Sequence, residues 1–513
     1  MSSSQEKNKR TKVTFLHLDL GIGGAERLVV DAAKQCMELG YQVQIYTTHH
    51  DITHCFPETL EKDKRASFVR VFGDWLPRYV DVSLFTTRKE NNGGGPGTNS
   101  TNRRFIALCG IIRMLYLAMV FIVNHIFTWK DETAVCDAHV VFLDGLSAPI
   151  PLLSIFGFPV LFYCHFPDRY LSPINLEQQQ PQSNDNGGIV AKCKRFYRDV
   201  VDLLEDISMA QATIIAVNSE FTASVCRESF SFLKQSSSKL VTIYPAVNCT
   251  TGDKDDHGSG EEEEDLRLLS YCKGYKNIFV SLNRYERKKK LELAVTAFKD
   301  LIGIYGEEKA MKESTLLVIS GGYDEALEEN SSYYQELVSL VDSLGLNDVV
   351  VFRRSISNDE RVALLRKATA LLYTPDREHF GIVPIEAMSL GTAVIAVASG
   401  GPLETIQDGV TGYLVEQDSQ KFADAMYKIL SKSNHNQEMG KAGKDRVKAL
   451  FSTDALGSKL EHTIDQVIKT HGKPGLLFLT SWVVVLIMIG QGLGYVLIHI
   501  SKVLQHLFAL SEN

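Results

Sequence analysis

Clustered cysteines are missing from this chain of 513 residues. The nine cysteines are scattered and form no CxxC pair, whereas a disulfide framework or a zinc site needs closely spaced, recurrent cysteines. We therefore expect reduced thiols in a cytosolic compartment. The N-terminal residues, MSSSQEKNKRTK, are polar and lack the apolar stretch of a secretory signal, which agrees with this expectation.

An excess of positive charge is missing as well. The formal net charge is −8 at pH 7, and part of it comes from the acidic run EEEED at residues 261–265. A general nucleic-acid-binding protein would carry a basic field, so the charge argues against that class. The composition, with 44% hydrophobic and 23% charged residues, is globular, and the length predicts two domains with additional segments.

Short apolar runs alternate with helical patterns along two separate stretches of the chain. Such alternation predicts parallel sheets covered by helices on both faces. We therefore predict an α/β protein with two Rossmann-like domains that face each other across a cleft. The predicted strands are residues 13–18, 41–47, 68–72, 139–143, 160–164, 213–217 and 240–244 in the first series, and 277–281, 316–320, 349–352, 371–373 and 393–397 in the second.

Three segments, residues 89–102, 172–188 and 251–265, are rich in glycine, polar or acidic residues. They cannot bury enough apolar surface to order themselves, so we interpret them as solvated inserts. The third follows the last strand of the first series and marks the domain boundary. The prediction is therefore a first domain at residues 12–250, an acidic insert and linker at 251–275, and a second domain at 276–465.

Residues 476–500 contain no Asp, Glu, Lys or Arg. As a helix this segment would be about 37 Å long at a rise of 1.5 Å per residue, and the hydrocarbon core of a bilayer is roughly 30 Å thick. We predict a transmembrane segment. The alternatives are a buried core helix and a surface hairpin broken by Gly490, Gly492 and Gly494.

A second apolar segment, residues 105–127, carries Arg113 and Asn124. If it crossed the bilayer, the strands before and after it would lie on opposite sides of the membrane and could not share a sheet. We therefore expect a helix at the membrane interface, with Arg103 and Arg104 near lipid headgroups. The alternative is a helix packed on the first domain.

A glycine-rich turn, GIGGAE at residues 21–26, follows the first predicted strand. Glycines let backbone N–H groups approach an anion at a helix N-terminus. The turn lacks the third glycine of the dinucleotide fingerprint GxGxxG. Taken alone it is equally well explained as a tight strand–helix connection.

The first strand of the second series runs directly into NRYERKKK at residues 283–290. Cations at the carboxyl end of a parallel strand lie where such sheets bind ligands, and arginine and lysine suit a diphosphate. The alternative is an ordinary solvated, basic start of a helix. Basic charge at a helix N-terminus opposes the helix dipole, however, and a bound anion would relieve that conflict.

Two carboxylates, Glu378 and Glu386, flank a glycine-containing loop, and Pro384 marks a helix start between them. The loop can offer N–H groups to phosphate, while the two carboxylates can accept hydrogen bonds from a sugar and from a ribose diol. A second glycine turn, SGGP at residues 399–402, follows. Together with the basic site, these features predict a nucleotide-sugar site.

These motifs, taken together, resemble the retaining GT-B glycosyltransferases of family 4. Within that family, the chain is similar to the mannosyltransferases that form α-1,3 and α-1,6 linkages on dolichol-linked oligosaccharides. The resemblance covers roughly residues 12–460. It is carried by HLDLGIGGAERLVVDAA (17–33), GDWLPR (73–78), FYCHFPD (162–168), NRYERKK (283–289), GGYDE (321–325) and EHFGIVPIEAM (378–388).

The resemblance implies a role for each matching residue. Catalysis is expected from Arg284 and Lys289, which would hold the donor diphosphate, from Glu378 at the donor mannose and from His165 near the reacting sugar. For His165, a purely structural role is the alternative. The expected donor-binding residues are Gly23, Gly24, Arg284, Lys289, Glu378, Phe380, Gly381, Ile382 and Glu386, with Glu386 at the ribose.

The resemblance also implies a reaction. Mannose would pass from GDP-mannose to dolichol-diphosphate-linked Man1GlcNAc2 and then Man2GlcNAc2, at the cytosolic face of the endoplasmic reticulum membrane. No cofactor and no metal is expected, because the one Asp-x-Asp string, at residues 253–255, lies in the acidic insert. The first domain would face the acceptor and the second would bind the nucleotide sugar.

Other functions remain open at this stage. Another family 4 enzyme with a donor such as UDP-GlcNAc is one alternative, and a non-catalytic GT-B scaffold is a second. The intact set of cations and carboxylates argues against the scaffold. A complex with other lipid-linked oligosaccharide mannosyltransferases is also left open.

Overall fold

The computed structural model describes residues 11–60, 68–81, 103–104, 106–128, 138–171, 189–235, 239–247, 267–304, 314–431 and 433–471. The predicted inserts at 89–102, 172–188 and 251–265 and the predicted transmembrane segment at 476–500 lie outside these residues.

The first lobe is built on a seven-stranded parallel sheet with the strand order β3-β2-β1-β6-β7-β8-β9. All seven strands of the first predicted series are present. Apolar side chains of the central strands β6 and β7 are buried because helices cover both faces of the sheet. The strands are β1 (Thr11–Asp19), β2 (Gln42–His49), β3 (Val69–Val71), β6 (Ala138–Asp144), β7 (Val160–Cys164), β8 (Ile214–Val217) and β9 (Leu240–Thr242).

The second lobe contains a six-stranded parallel sheet with the order β12-β11-β10-β13-β14-β15. Five of these strands match the second predicted series, and the edge strand β15 was not predicted. A short antiparallel pair, β4 (Val80–Asp81) with β5 (Arg103–Arg104), was also missed. The strands are β10 (Asn277–Leu282), β11 (Thr315–Gly321), β12 (Val350–Arg354), β13 (Ala370–Tyr373), β14 (Ala393–Val397) and β15 (Gly412–Val415).

Helices connect the strands and cover the sheets. Ser219, Ser357 and Ser452 cap three of them, because each serine hydroxyl accepts a hydrogen bond from a backbone N–H of the first helical turn. The helices are α1 (Gly24–Glu38), α2 (Ile106–Thr128), α3 (Ile150–Ile155), α4 (Asp168–Leu171), α5 (Ile189–Met209), α6 (Glu220–Ser229), α7 (Ser231–Gln235), α8 (Leu291–Ile304), α9 (Glu328–Ser343), α10 (Asn358–Lys367), α11 (Ile382–Ser389), α12 (Pro402–Thr405), α13 (Ser419–Ser431), α14 (Ser433–Leu450) and α15 (Thr453–Thr470).

Helix α2 is long and apolar enough to cross a membrane, since an 18-residue window within residues 106–127 has a mean hydropathy of 2.5. It nevertheless packs on the first sheet, as the alternative interpretation of this segment predicted. Strand β1, which precedes it, pairs with β6, which follows it. Its buried face includes Met114, Leu117 and Phe121, and Arg113 forms an ion pair with Asp19.

The chain returns to the first lobe at its C-terminal end. The apolar face of α15 contributes Leu456, Leu460 and Ile464 to the core of the first lobe. His471, which follows α15, contacts the carbonyl oxygen of Gly157 at 2.9 Å. The domain prediction, which ended the second domain at residue 465, did not anticipate this return.

Candidate functional site

Asn283 and Arg284 follow β10 at the carboxyl edge of the second sheet. Gly321 is the last residue of β11, and it lets the two backbones approach closely, because a Cβ atom there would lie 1.9 Å from the carbonyl oxygen of Asn283. The side chain of Arg284 is 63% exposed, and its Nη1 lies 2.8 Å from Oε1 of Glu286. The predicted diphosphate-binding arginine therefore lies at the sheet edge with its charge accessible to a ligand.

Lys289 and Glu378 form an ion pair at the centre of the site, with Nζ 2.5 Å from Oε2. The short 3-10 helix Arg287–Lys289 places the lysine, and the hydroxyl of Thr374 donates a hydrogen bond to its carbonyl oxygen at 2.7 Å. Burial raises the pKa of Glu378, but the charge and hydrogen bond of Lys289 outweigh burial and lower this pKa overall. The carboxyl group is therefore ionised at neutral pH.

The loop after Glu378 ends at Gly381, which caps α11 with φ 82° and ψ 73°, a left-handed conformation that favours glycine. The backbone N–H groups at the start of α11 lie at a positive helix end, which suits an anion. The second predicted turn packs directly on this loop, since a Cβ atom at Gly401 would lie 2.3 Å from the carbonyl oxygen of Phe380. Gly400 adopts φ 63° for the same close approach.

Glu386 lies on α11, one turn beyond the loop. Its Oε1 accepts a hydrogen bond from Nη1 of Arg361 at 2.5 Å. Its Oε2 is buried and has no hydrogen-bond partner among the residues that the structure describes. A buried carboxylate oxygen without a partner carries a desolvation cost that a ligand hydroxyl can relieve.

In the first lobe, Gly23 and Gly24 lie at the start of α1, directly after the turn that follows β1. Gly23 is the N-cap in an extended conformation, and no side chain caps this helix end. A Cβ atom added at Gly24 would enter open space. At Gly23, an added Cβ atom would lie 2.2 Å from Oε2 of Glu26, so the carboxylate of Glu26 lies against this turn.

His165 follows β7 and is one of three side chains joined by hydrogen bonds. Its Nε2 lies 3.2 Å from Oδ2 of Asp144, and Oδ1 of Asp144 lies 2.7 Å from Nδ1 of His17. Burial opposes the charged form of Asp144, but the two histidines lower its pKa well below the usual range. Sequence reasoning missed His17 and Asp144.

The two lobes meet where the loops after β7 and β13 come together. The rings of Phe166 and His379 stack with centroids 3.7 Å apart, and Oγ of Ser219 donates a hydrogen bond to the carbonyl oxygen of His379 at 2.5 Å. Burial lowers the pKa of His379 to about 4, so this ring is neutral at physiological pH. His165 also interacts electrostatically with His379, so it lies on the side of the first lobe that faces the site.

A further contact between the lobes comes from Glu404 on α12. Its carboxylate accepts hydrogen bonds from the backbone N–H groups of Glu220 and Phe221 at 2.8 and 3.2 Å, and from the hydroxyl of Tyr244 at 3.0 Å. A side chain of the second lobe thus caps the N-terminus of α6 in the first.

The structure brings together Lys289, Glu378, Phe380, Gly381, Ile382 and Glu386, and places Arg284 at the edge of the same sheet. Besides His17 and Asp144, sequence reasoning missed Phe166, Ser219 and Arg361. Asp144, Phe166 and Ser219 each lie within two residues of the carboxyl end of a predicted strand, which is the one sequence signal they carry, whereas Arg361 carries none. Within the described part of the chain, no group of three or more His, Cys, Asp or Glu side chains could hold a metal ion.

Comparison with known proteins agrees with this geometry. A family model described as Glycosyl transferases group 1 matches residues 272–446. The sucrose-phosphate synthase structure from Thermosynechococcus elongatus superposes with a TM-score of 0.59 at 20% identity, and the match covers 90% of this chain and 99% of that one. The fold is that of a GT-B glycosyltransferase.

The sequence narrows this class further. The chain is 38% identical to the α-1,3/1,6-mannosyltransferase ALG2 of Homo sapiens, over 90% of this chain and 97% of that protein. It is 36% identical to the ALG2 of Dictyostelium discoideum, over 90% and 99%. The chain belongs to the ALG2 family of α-1,3/1,6-mannosyltransferases. This membership favours mannosyl transfer over a UDP-GlcNAc-dependent activity, and an enzyme over a non-catalytic scaffold.

Proposed function

We propose that this enzyme transfers mannose from GDP-mannose to dolichol-diphosphate-linked Man1GlcNAc2 and then to Man2GlcNAc2, forming one α-1,3 and one α-1,6 linkage. The observation that carries the proposal is the Lys289–Glu378 ion pair beside the N-terminus of α11. It places a cation, a carboxylate and a set of backbone N–H groups within one loop system. A sugar diphosphate needs these three kinds of group.

In this proposal the diphosphate binds at the second lobe. Arg284 and Lys289 contact its oxygens, and the N–H groups at Gly381 and Ile382 donate hydrogen bonds to it. Glu386 accepts hydrogen bonds from the ribose diol through its unpartnered Oε2. Glu378 accepts hydrogen bonds from hydroxyls of the mannose, since its low pKa keeps it ionised.

The chemical step breaks the bond between the anomeric carbon and the diphosphate oxygen and forms a bond to an acceptor hydroxyl on the same face of the sugar. Negative charge develops on the departing GDP, where the fixed cations Arg284 and Lys289 stabilise it. The proton of the acceptor hydroxyl passes to the departing diphosphate oxygen. The reaction proceeds without a metal because these side chains supply the positive charge.

The acceptor is bound to a lipid, and we propose that the first lobe rests on the membrane that contains it. The outer face of α2 exposes a stripe of apolar side chains at helical spacing, and α5 exposes three more. Tyr197 of α5 lies beside Leu108 and Cys109 of α2, so the two helices are neighbours. The exposed residues are Leu108, Ile112, Met119, Val123 and Ile126 on α2, and Phe196, Val200 and Leu203 on α5.

The path of the C-terminal segment supports the same orientation. His471 contacts Gly157, and the neighbouring Phe158 packs against His125 near the end of α2 at a ring-centroid distance of 5.0 Å. The last described residue before the apolar segment 476–500 thus lies close to the end of the exposed stripe. An anchor starting there would hold α2 and α5 at the bilayer, on the cytosolic face of the endoplasmic reticulum.

The reaction is tested with the full-length protein, GDP-mannose and a synthetic one-mannose lipid acceptor. We expect a three-mannose product with one α-1,3 and one α-1,6 linkage, determined by linkage analysis. UDP-GlcNAc serves as the competing donor. Turnover of UDP-GlcNAc in preference to GDP-mannose, or the absence of transfer to a competent lipid, would contradict the proposal.

The membrane contact is tested by fluorescence quenching with brominated lipids. An environment-sensitive label at Ile112 or Phe196 should be quenched in vesicles, and a label at Glu336 on α9 of the second lobe should not. Equal quenching at Ile112 and Glu336 would show that the C-terminal segment alone attaches the protein.

A further inference from the structure

Asp144 lies between two histidines at the carboxyl end of β6. Its side chain is buried, with one oxygen 2.7 Å from Nδ1 of His17 and the other 3.2 Å from Nε2 of His165. His17 is buried as well, whereas the side chain of His165 is 28% exposed. The three residues form a chain of hydrogen bonds that runs from the core of the first lobe to its surface.

The hydrogen bonds of His17 identify its protonation state. Nδ1 faces the carboxylate of Asp144, and Nε2 lies 2.9 Å from the carbonyl oxygen of Asp19. Both partners are acceptors, so both ring nitrogens of His17 must donate, and His17 is an imidazolium. Burial opposes this charge, but Asp144 outweighs burial and raises the pKa of His17 to about 9.

The carboxylate of Asp144 also determines which ring nitrogen of His165 donates a hydrogen bond. Because Asp144 is an acceptor, Nε2 of His165 donates to it, and in a neutral ring Nδ1 then holds the free lone pair. Nδ1 has no hydrogen-bond partner within the part of the chain that the structure describes. The backbone of His165 is fixed separately, since Nδ2 of Asn218 donates to its carbonyl oxygen at 3.0 Å.

We propose that Asp144 and His17 are positioning residues for mannosyl transfer, which hold His165 as a neutral imidazole with its proton on Nε2 and its Nδ1 ready to accept a hydrogen bond from a hydroxyl of the reacting sugar. The proposal rests on the proposed function, in which His165 lies near that sugar. The anomeric carbon becomes positive as the diphosphate leaves. A neutral acceptor at this place tolerates that charge, and an imidazolium would oppose it.

His17 has a distinct part in this arrangement. A buried carboxylate with a single histidine neighbour would favour the protonated form of that histidine. Here the positive charge of His17, the nearer histidine at 2.7 Å against 3.2 Å for His165, balances the negative charge of Asp144, so Asp144 acts on His165 as a hydrogen-bond acceptor. The other charged groups nearby are Glu26 and Asp19, which face His17, Arg113, which pairs with Asp19, and His379, which faces His165 from the second lobe.

Two variants of the full-length enzyme separate these roles. Asp144→Asn keeps the size of the side chain, but the asparagine can accept a hydrogen bond from only one of the two histidines. We therefore expect kcat to fall about 30-fold, while KM for GDP-mannose stays within about threefold of the wild-type value. In His17→Asn, His165 is the one remaining histidine beside the charged carboxylate of Asp144. The acid limb of kcat/KM should then move to higher pH by about one unit. His139→Asn is the matched control, because His139 is a buried histidine on β6, hydrogen-bonded to Thr14 at 2.8 Å and outside the chain of three.

A second measurement does not depend on turnover. The ¹⁵N chemical shifts of the His165 imidazole report its tautomer, and we expect the proton on Nε2 in the wild type and a mixture of tautomers in Asp144→Asn. A wild-type proton on Nδ1, or an Asp144→Asn enzyme with unchanged kcat and pH profile, would overturn the proposal. Failure of the wild type to use GDP-mannose would instead contradict the proposed function, and the tautomer measurement would still decide the role of Asp144.

Discussion

The ring of Phe166 lies parallel to the imidazole of His379, at an interplanar angle of 6° and a centroid distance of 3.7 Å. Phe166 belongs to the first lobe and follows His165, whereas His379 belongs to the second and follows Glu378. The stack therefore joins the residue after the proposed sugar-contacting histidine to the residue after the proposed sugar-contacting carboxylate. It fixes the distance between the two halves of the site.

Replacing Phe166 by alanine should lower kcat with little effect on nucleotide binding. An aromatic pair contributes about 0.5–1.5 kcal/mol beyond its buried area, so we expect a loss of about 3- to 10-fold in kcat. The affinity for GDP should stay within about twofold, because the proposed GDP contacts belong to the second lobe. Steady-state kinetics and calorimetry with GDP measure the two quantities.

Phe166→Tyr, which keeps the stacked ring, should restore most of the activity. Phe156→Ala, at a phenylalanine of the first lobe that is 48% exposed, is the control. If Phe166→Ala weakened GDP binding as strongly as it lowered kcat, the stack would have to act on the donor site itself.

Replacing Lys289 by methionine should remove the cation beside the diphosphate while keeping a side chain of similar length. We expect kcat to fall about 100-fold, the size of effect seen when a group that stabilises developing negative charge is lost. Lys288→Met is the matched control, since Lys288 is the adjacent residue of the same turn and its side chain is 66% exposed. A similar loss in both variants would point to a general effect of positive charge.

The ion pair between Lys289 and Glu378 also predicts how the stability of the protein depends on pH. Because the pKa of Glu378 is lowered in the folded protein, the ion pair stabilises the fold above the ordinary carboxyl pKa of 4.5, and this contribution is lost as the pH falls through the lower, folded value. In Lys289→Met the buried carboxyl group has no cation, so its pKa should rise. Unfolding free energies of the two proteins should therefore converge at acidic pH, and a constant difference would contradict the assignment.

Replacing Glu386 by glutamine should weaken the binding of GDP. A hydrogen bond to a charged group contributes about 1.5–3 kcal/mol, which corresponds to a loss of about 10- to 100-fold in affinity. Calorimetry with GDP measures it directly. Glu325→Gln, at a side chain that is 84% exposed, should bind GDP like the wild type. Unchanged binding by Glu386→Gln would remove Glu386 from the nucleotide site.

His17 predicts a second pH dependence, at alkaline pH. Its pKa is raised from 6.5 to about 9 in the folded protein, so its contribution to stability is fully present below pH 6.5 and is lost as the pH rises to about 9. The contribution is on the order of 3 kcal/mol. The unfolding free energy of the wild type should therefore fall over this range relative to that of His17→Asn. Parallel curves for the two proteins would show that His17 is neutral.

The sequence by itself determined the two parallel sheets and most of the residues that the structure brings together around the Lys289–Glu378 ion pair. Strands such as β7 and β14 are continuous apolar runs, which is the pattern of a strand buried on both faces. Lys289, Glu378 and Gly381 could be found because each lies in a short motif at the carboxyl end of a strand, where parallel sheets bind ligands. The edge strand β15, with the sequence GYLV, was missed.

Only the tertiary structure decided which residues from distant parts of the chain act together. His17, Asp144 and His165 lie on three strands that become neighbours through the order β1-β6-β7, and no local pattern encodes that order. The packing of α2 on the first lobe, which the sequence left open, was also decided by the sheet, because β1 before the helix pairs with β6 after it and the helix lies against side chains of both strands. The hydrophobic periodicity of a segment fixes its own conformation and its apolar face, but the partner that covers this face is set by the packing of the whole chain.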